Sequence, residues 1–280
     1  MTSFTSRIAR SLAVAGLAIG LVALGGCAST ASTGASPDGL KTITAGKLTI
    51  ATGQPAYSPW VDDNKPQSGK GFEAAVAYAV AAKLGFAKKE VVWTRTTFDS
   101  AIAPGPKNFD LNLQQYTITS KRAKAIDFSS PYYQTTEALV ATKGSAADGA
   151  TTIAQLKKIK IGVATGTTSY TIVLKDVGVQ PAVFNSNDDA VLALKSGQVD
   201  AIAVDLPTAF YLADAELKHG EILGQFADTT GGAQFGIVLA KGSSLTAKVS
   251  AAVDAIRKDG ELAAITKKWL STSVNVPVFK

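Results

Sequence analysis

Hydrophobic positions recur along the chain at two periods, and the two periods alternate. Residues 47–52 (KLTIAT) are a short apolar run bounded by Gly46 and Gly53, the signature of a buried strand. Phe72, Val76, Val80 and Leu84 then repeat at helical spacing, and Gly85 supplies the stop. Strand chemistry returns at 91–96 (VVWTRT), at 109–113 (FDLNL), at 160–165 (KIGVAT), at 182–184 (AVF) and at 200–205 (DAIAVD). The stretch NDDAVLALKSG predicts a helix with acids in its first turn, Lys195 in its last and Gly197 beyond, the order the helix dipole favours. Residues 243–260 and 261–270 predict two closing helices. Strands alternating with helices predict parallel α/β sheets in two units. The last strand and two helices, from FGIVLAK on, have no sheet of their own and are expected to return to the first unit. Open α/β sheets bind ligands at strand carboxyl ends, so two facing sheets make a cleft.

The first residues follow a different pattern. Arg7 and Arg10 precede the apolar run SLAVAGLAIGLVALGG, which ends at Cys27. A basic start, a short apolar core and small residues before a cut describe a secretory signal. The run is shorter than the ~20 residues a spanning helix needs. The alternative reading is an uncleaved N-terminal anchor. Cys27 is the sole cysteine of the 280 residues, so it forms no internal disulfide. The small polar stretch after it, ASTASTGASPDG, reads as a flexible tether.

Charge narrows the function classes. The chain carries a formal +6, and removing residues 1–26 takes two arginines and no acid, leaving +4. The basic residues are scattered rather than interleaved with aromatics, which disfavours a nucleic-acid partner. The single histidine, His219, lies beside a glycine, and with one cysteine there is no Cys/His metal cluster or Cys–His pair. No P-loop or G-x-S-x-G elbow occurs, and GVATGTTS has too few spaced glycines for a dinucleotide site. No cofactor or metal is expected.

Three places offer complements to a small polar molecule. LNLQQYTITSKRAKAIDF (111–128) leaves a strand and spends two glutamines, hydroxyls and Arg122 at its end. An Arg fork matches a carboxylate with two parallel hydrogen bonds, although a surface ion pair is the commoner fate in a KRAK run. At GVATGTTSY a strand ends, Gly166 turns and a helix starts near Thr167, where free N–H groups favour an anion. Ordinary capping by Thr explains that motif equally. Asp205 ends the last strand of the second unit, where it suits an ammonium or a cap for the next helix.

The mature chain, from about Leu40 to its end, resembles the bacterial extracytoplasmic solute-binding proteins of polar amino-acid ABC transporters. GFEAAVAYAVAAKLGF, FDLNLQQYTITSKRAKAIDFSSPYY, KIGVATGTTSY, ALKSGQVDAIAVDLPTA, FGIVLAKG and IRKDGELAAITKKW carry the resemblance, in family order and spacing. The LGGC sequence likewise resembles the lipobox of bacterial lipoproteins, which implies a lipidated Cys27 and an outer-face membrane anchor. The family fold implied is a two-lobed periplasmic-binding-protein-like α/β fold joined by two crossing segments. Mapped here, it gives a signal at 1–26, a tether at 27–40, lobe 1 at 41–133, a hinge at 134–136, lobe 2 at 137–231, a second hinge at 232–235 and a return to lobe 1 at 236–280. It implies that Arg122, Thr167 and Thr168 hold the ligand α-carboxylate. Asp205 would take the α-ammonium, helped by Thr117 and the backbone near Gln115. Tyr57, Phe98 and Trp60 would cover the side chain. A monomer that delivers its amino acid to a membrane permease is implied.

The sequence departs from the family at Gln114 and Gln115, where Gly or Ser-Gly is usual, and at Gln54, where cation-binding relatives often carry an acid. Amides at three pocket positions predict an uncharged polar side chain, glutamine or asparagine before lysine, arginine or glutamate. Asp110 or Glu137 could instead pair with a cation. The competing classes are an enzyme similar to cyclohexadienyl dehydratases, with Glu73 or Glu137 as acid, and a ligand-sensing module.

Overall fold

The structure is a computed structural model that describes residues 37–227, 232–270 and 275–280. The signal segment, Cys27 and residues 28–36 of the expected tether lie outside the described residues.

In chain order, β1 (Leu48–Thr52), α1 (Phe72–Lys83), β2 (Val91–Arg95), α2 (Phe98–Ile102), β3 (Leu111–Asn112) and β4 (Ile126–Phe128) begin the first lobe. β5 (Tyr133–Thr135) leaves it. The second lobe then follows with β6 (Glu137–Thr142), α3 (Ile153–Leu156), β7 (Ile161–Ala164), α4 (Thr168–Ile172), β8 (Ala182–Phe184), α5 (Asn187–Lys195), β9 (Ala201–Asp205), α6 (Leu206–Tyr211) and β10 (Gly220–Gln225). β11 (Ala233–Phe235) comes back, and β12 (Val238–Ala240), α7 (Thr246–Lys258) and α8 (Glu261–Trp269) complete the first lobe. The strands order as β2-β1-β3-β12-β4 in one sheet and β10-β6-β9-β7-β8 in the other. Between them, β5 and β11 form an antiparallel ribbon that pairs Gln134 with Gln234.

Both sheets are mixed, not parallel as expected. β1 runs parallel to β2 and β3, and β7 to β8 and β9. β12 is antiparallel to β3 and β4, and β6 to β9 and β10. The reversed strands are those that follow β5 and β11 directly, so each enters its sheet from a crossing rather than from a helical return. Hydrophobic pattern does not report strand direction when both faces are covered.

Each lobe has its own core. In the first, Leu48, Ile50, Phe72, Val76 and Val80 pack with Val249, Val253 and Ile256 of α7. In the second, alternate residues of β6 face opposite cores: Leu139 and Ala141 one way, Ala138 and Val140 the other. Each fully buried Leu, Ile or Val removes apolar area worth about 1.5–3 kcal/mol. An edge-to-face cluster of Trp60, Phe72, Tyr133 and Phe235, with centroids 5.2–6.0 Å apart, fastens the ribbon to the first lobe.

Two expected boundaries move. Residues 37–40 belong to the fold rather than the tether: Pro37–Gly39 form a 3-10 turn, and Leu40 is buried in the first core. The return to lobe 1 stops short of the chain end. Phe279 packs against Phe226 in the second core, Lys280 O accepts from Ile153 N, and Val276 O accepts from Gln225 Nε2. An apolar residue followed by a terminal Lys carries no sign of which core it enters.

Candidate ligand-binding cleft

A cavity of about 90 Å³ lies where the two lobes meet. The first lobe contributes Gln54, Tyr57, Phe98, Gln114 and Gln115 to its wall, and the second Glu137, Thr167, Thr168 and Asp205. Most of these sit at strand carboxyl ends. Asp205 closes β9, and its register partner across the ladder to β6 is Glu137. Thr167 and Thr168 follow β7 at the turn made by Gly166, which has φ +70°. Phe98 opens α2, capped by Thr97, whose hydroxyl accepts from Ser100 N.

The lobes are bridged in this structure. Asn187 Nδ2 donates to the Tyr57 hydroxyl at 2.6 Å, and Trp60 Nε1 to Thr208 Oγ1 at 2.9 Å. Arg122 gives one N–H to Thr117 O of its own lobe (2.7 Å) and one to Gly166 O of the other (2.8 Å). Thr117 and Thr168 hydroxyls meet at 3.3 Å. A Cβ at Gly166 would lie 1.9 Å from an Asp99 carboxylate oxygen, so the second lobe approaches the first by backbone there.

The charges are lopsided. Glu137 is buried and accepts from the Thr168 hydroxyl (3.0 Å) and the Ser169 hydroxyl (2.8 Å). Burial pushes its carboxyl up, against those two hydrogen bonds and Arg122. Burial also pushes Asp205 well above the usual carboxylate range, and Glu137 and Glu73 push it further. Behind the wall, Glu73 accepts from Gln115 N at 2.7 Å, from the Gln115 side-chain amide at 2.5 Å, and from the Tyr132 hydroxyl. Burial raises Glu73 to about 7. Arg122 is the cation that offsets Glu137 and Asp205.

The sequence-predicted residues divide accordingly. Gln54, Tyr57, Phe98, Gln114, Gln115, Thr167, Thr168 and Asp205 line the cavity; Thr117 and Arg122 stand behind it, buried, with the guanidinium 5.2 Å from the Phe98 ring centre. Trp60 is corrected: at 1% exposure it belongs to the aromatic core, and its indole N–H finds its polar partner in Thr208 rather than in the cavity. The departure at Gln115 has a structural cost, since its φ of 51° lies in the region that favours glycine, and the bonds to Glu73 hold it there. Neither helix start uses a side-chain cap: Thr167 Oγ1 donates back to Ala164 O, and Asp205 makes no cap bond. Thr168 has one hydroxyl hydrogen and gives it to Glu137, so Thr117 is the donor between the two threonines. Asp110 is not at the cleft; it accepts from Ile43 N and Thr49 N at 2.8 Å each. Asn185, Ser186, Asn187, Asp188 and Ser169 also line the cavity and were not anticipated. Ser169 lies in α4, while Asn185 to Asp188 follow β8 and open α5, the strand-end position that drew attention to Asp205, and that signal was present in FNSND.

Two α/β lobes, a two-strand crossing and a polar cavity between them define a bilobal ligand-binding fold. The chain belongs to the bacterial extracellular solute-binding proteins, family 3, whose family model matches residues 48–272. It is 30% identical over 228 residues to the L-arginine-binding protein of Pseudomonas aeruginosa, covering 78% of this chain and 86% of that one. It is 30% identical over 211 residues to the ABC transporter glutamine-binding protein GlnH of Bacillus subtilis, covering 73% and 75%. Among solved structures, an ancestral arginine-binding protein bound to arginine matches with a TM-score of 0.67 and 33% identity, over 81% of this chain and 99% of that one. Among the described residues no helix is long and apolar enough to cross a membrane.

Proposed function

We propose that this protein captures a polar α-amino acid between its lobes outside the cytoplasm and delivers it, without chemical change, to an ABC permease. The observation that carries this reading is the charge split across a small cavity, with Asp205 and Glu137 of the second lobe in its wall and Arg122 of the first lobe buried behind it. A zwitterion meets both signs only when both lobes touch it, so its binding free energy favours the closed form. In this reading the α-carboxylate takes the remaining N–H groups of Arg122 and the uncapped N–H groups after Thr167, and Asp205 takes the α-ammonium. The segments 134–136 and 232–235 act as the hinge. Relatives named for binding arginine and glutamine support an amino-acid ligand. A thermal-shift panel of the common amino acids tests the reading: a ligand at 100 times its Kd adds about 2.7 kcal/mol of stability. No shift with any of them contradicts it.

The LGGC sequence supports a lipid anchor on Cys27. Cys27→Ser is expected to release the protein from the membrane fraction, and continued partition with membranes contradicts the anchor. One observation favours a second reading, the dehydratase-like enzyme: Glu137 lines the cavity with its carboxyl held protonated more readily than usual, as a general acid requires. Turnover of prephenate or arogenate that is lost in Glu137→Gln would establish it, and no turnover removes it.

A further inference from the structure

The cleft continues past this cavity. A second chamber of about 210 Å³ adjoins it, and Tyr57, Asn187 and Asp188 belong to the walls of both. The Asn187–Tyr57 hydrogen bond stands at the boundary. Beyond it the walls are Val191, Leu192, Leu212 and Tyr211, which suit an aliphatic stem, together with Thr208 and the Lys195–Glu216 ion pair. At the boundary sits a carboxylate without a partner. Asp188 is half-buried in the first turn of α5, and its carboxylate accepts no hydrogen bond among the described residues. The cation that opposes its charge is Lys195, whose ammonium is held 2.5 Å from Glu216. Burial, then Asp189 and Glu216, push the Asp188 carboxyl up.

The amides expected to read a neutral side chain have meanwhile spent part of their hydrogen-bonding capacity inside the protein. The Gln115 amide donates to Glu73, and the Gln114 carbonyl accepts from the Tyr116 hydroxyl. Gln54, the third of them, is exposed at the rim. The net charge points the same way. Glu137, Asp205 and Asp188 all line the cavity, and a zwitterion brings no net charge to balance them beyond Arg122. A second cation on the ligand does, and an unpaired acid in a water-poor site gains most from one.

We propose that Asp188 is the specificity-determining residue of this cleft and selects a dibasic α-amino acid, whose long aliphatic stem runs over Tyr57 and whose distal cation lies at the mouth of the second chamber. This rests on the amino-acid-receptor reading and replaces the neutral preference drawn from the glutamines. Calorimetry of the mature protein with arginine, lysine, glutamine and glutamate tests it. Arginine or lysine is expected to bind at least about tenfold more tightly than glutamine, and Asp188→Asn to reduce that preference by about tenfold, since it removes the one charge that distinguishes them. Asp189→Asn, the same charge change on the exposed neighbour, should keep the preference. Tighter binding of glutamine than of arginine and lysine, or an unchanged preference in Asp188→Asn, overturns the assignment while leaving the receptor reading intact. Binding of none of the four by the wild type, with no shift across the wider panel, overturns both.

Discussion

The two walls of the cleft are built from the same α/β architecture and carry different chemistry. The first-lobe wall is amide and aromatic, with one buried guanidinium behind it; the second-lobe wall is carboxylate and hydroxyl. Its acids Glu137 and Asp205 face each other across a ladder, and Asp188 opens the neighbouring helix. Each wall alone concentrates one sign of charge, which burial makes costly. Brought together they offset each other in part, and a ligand with separated charges completes the balance. In the proposed reading, closure and recognition depend on the same groups. Glu73 belongs to this comparison as the exception: an acid of the first lobe, kept behind the wall, where its hydrogen bonds fix Gln115 rather than face the ligand.

The largest break in this symmetry is Arg122→Ala. It removes the cation of the first wall and the bond to Gly166 O, and leaves Glu137 and Asp205 without their offset. Truncating a buried charged partner costs about 2–5 kcal/mol or more, so binding of every amino acid should fall below detection by calorimetry. Retained binding would mean that the walls are not electrostatically coupled.

A second effect is on stability against pH. Burial raises Glu73 from 4.5 to about 7, so between those values the folded chain holds a proton that the unfolded chain has released. The contribution of Glu73 is therefore fully present below pH 4.5 and is lost as pH rises through about 7. The upward shifts of Glu137 and Asp205 act with the same sign. Thermal midpoints measured across this range should fall as pH rises, and Glu73→Gln should flatten part of that slope. An identical slope in the variant would place the titration elsewhere.

Gly166→Ala sharpens the comparison with the smallest change. The added Cβ meets Asp99 only where the lobes touch, and the φ of +70° disfavours any side chain by about 1 kcal/mol. Ligand affinity should drop by more than that backbone term alone explains, because the contact with Asp99 is a property of closure. A stability loss without an affinity loss would show that Gly166 serves only its own turn.

Much of this was legible in the chain. Strand 182–184 and helix 187–195 have the bounds their pattern predicts, because short runs closed by Gly, Asn and Ser carry their own terminators. Asp205 and Thr167 were found because strand carboxyl ends in α/β sheets face the cleft. Three things were not legible. The direction of β6 and β12 depends on how the chain crosses between lobes, which no local period records. Trp60 has the composition of a pocket aromatic, and only its packing against Phe72, Tyr133 and Phe235 assigns it to the core. Asp188 read as a helix-dipole acid, and its second role depends on Tyr57 arriving from the other lobe.

Whether a ligand closes the lobes by satisfying both walls is read from small-angle scattering of the mature protein with and without saturating ligand. A smaller radius of gyration with ligand is expected for the wild type and no change for Arg122→Ala. An unchanged radius for wild-type protein shown by calorimetry to be saturated would contradict it.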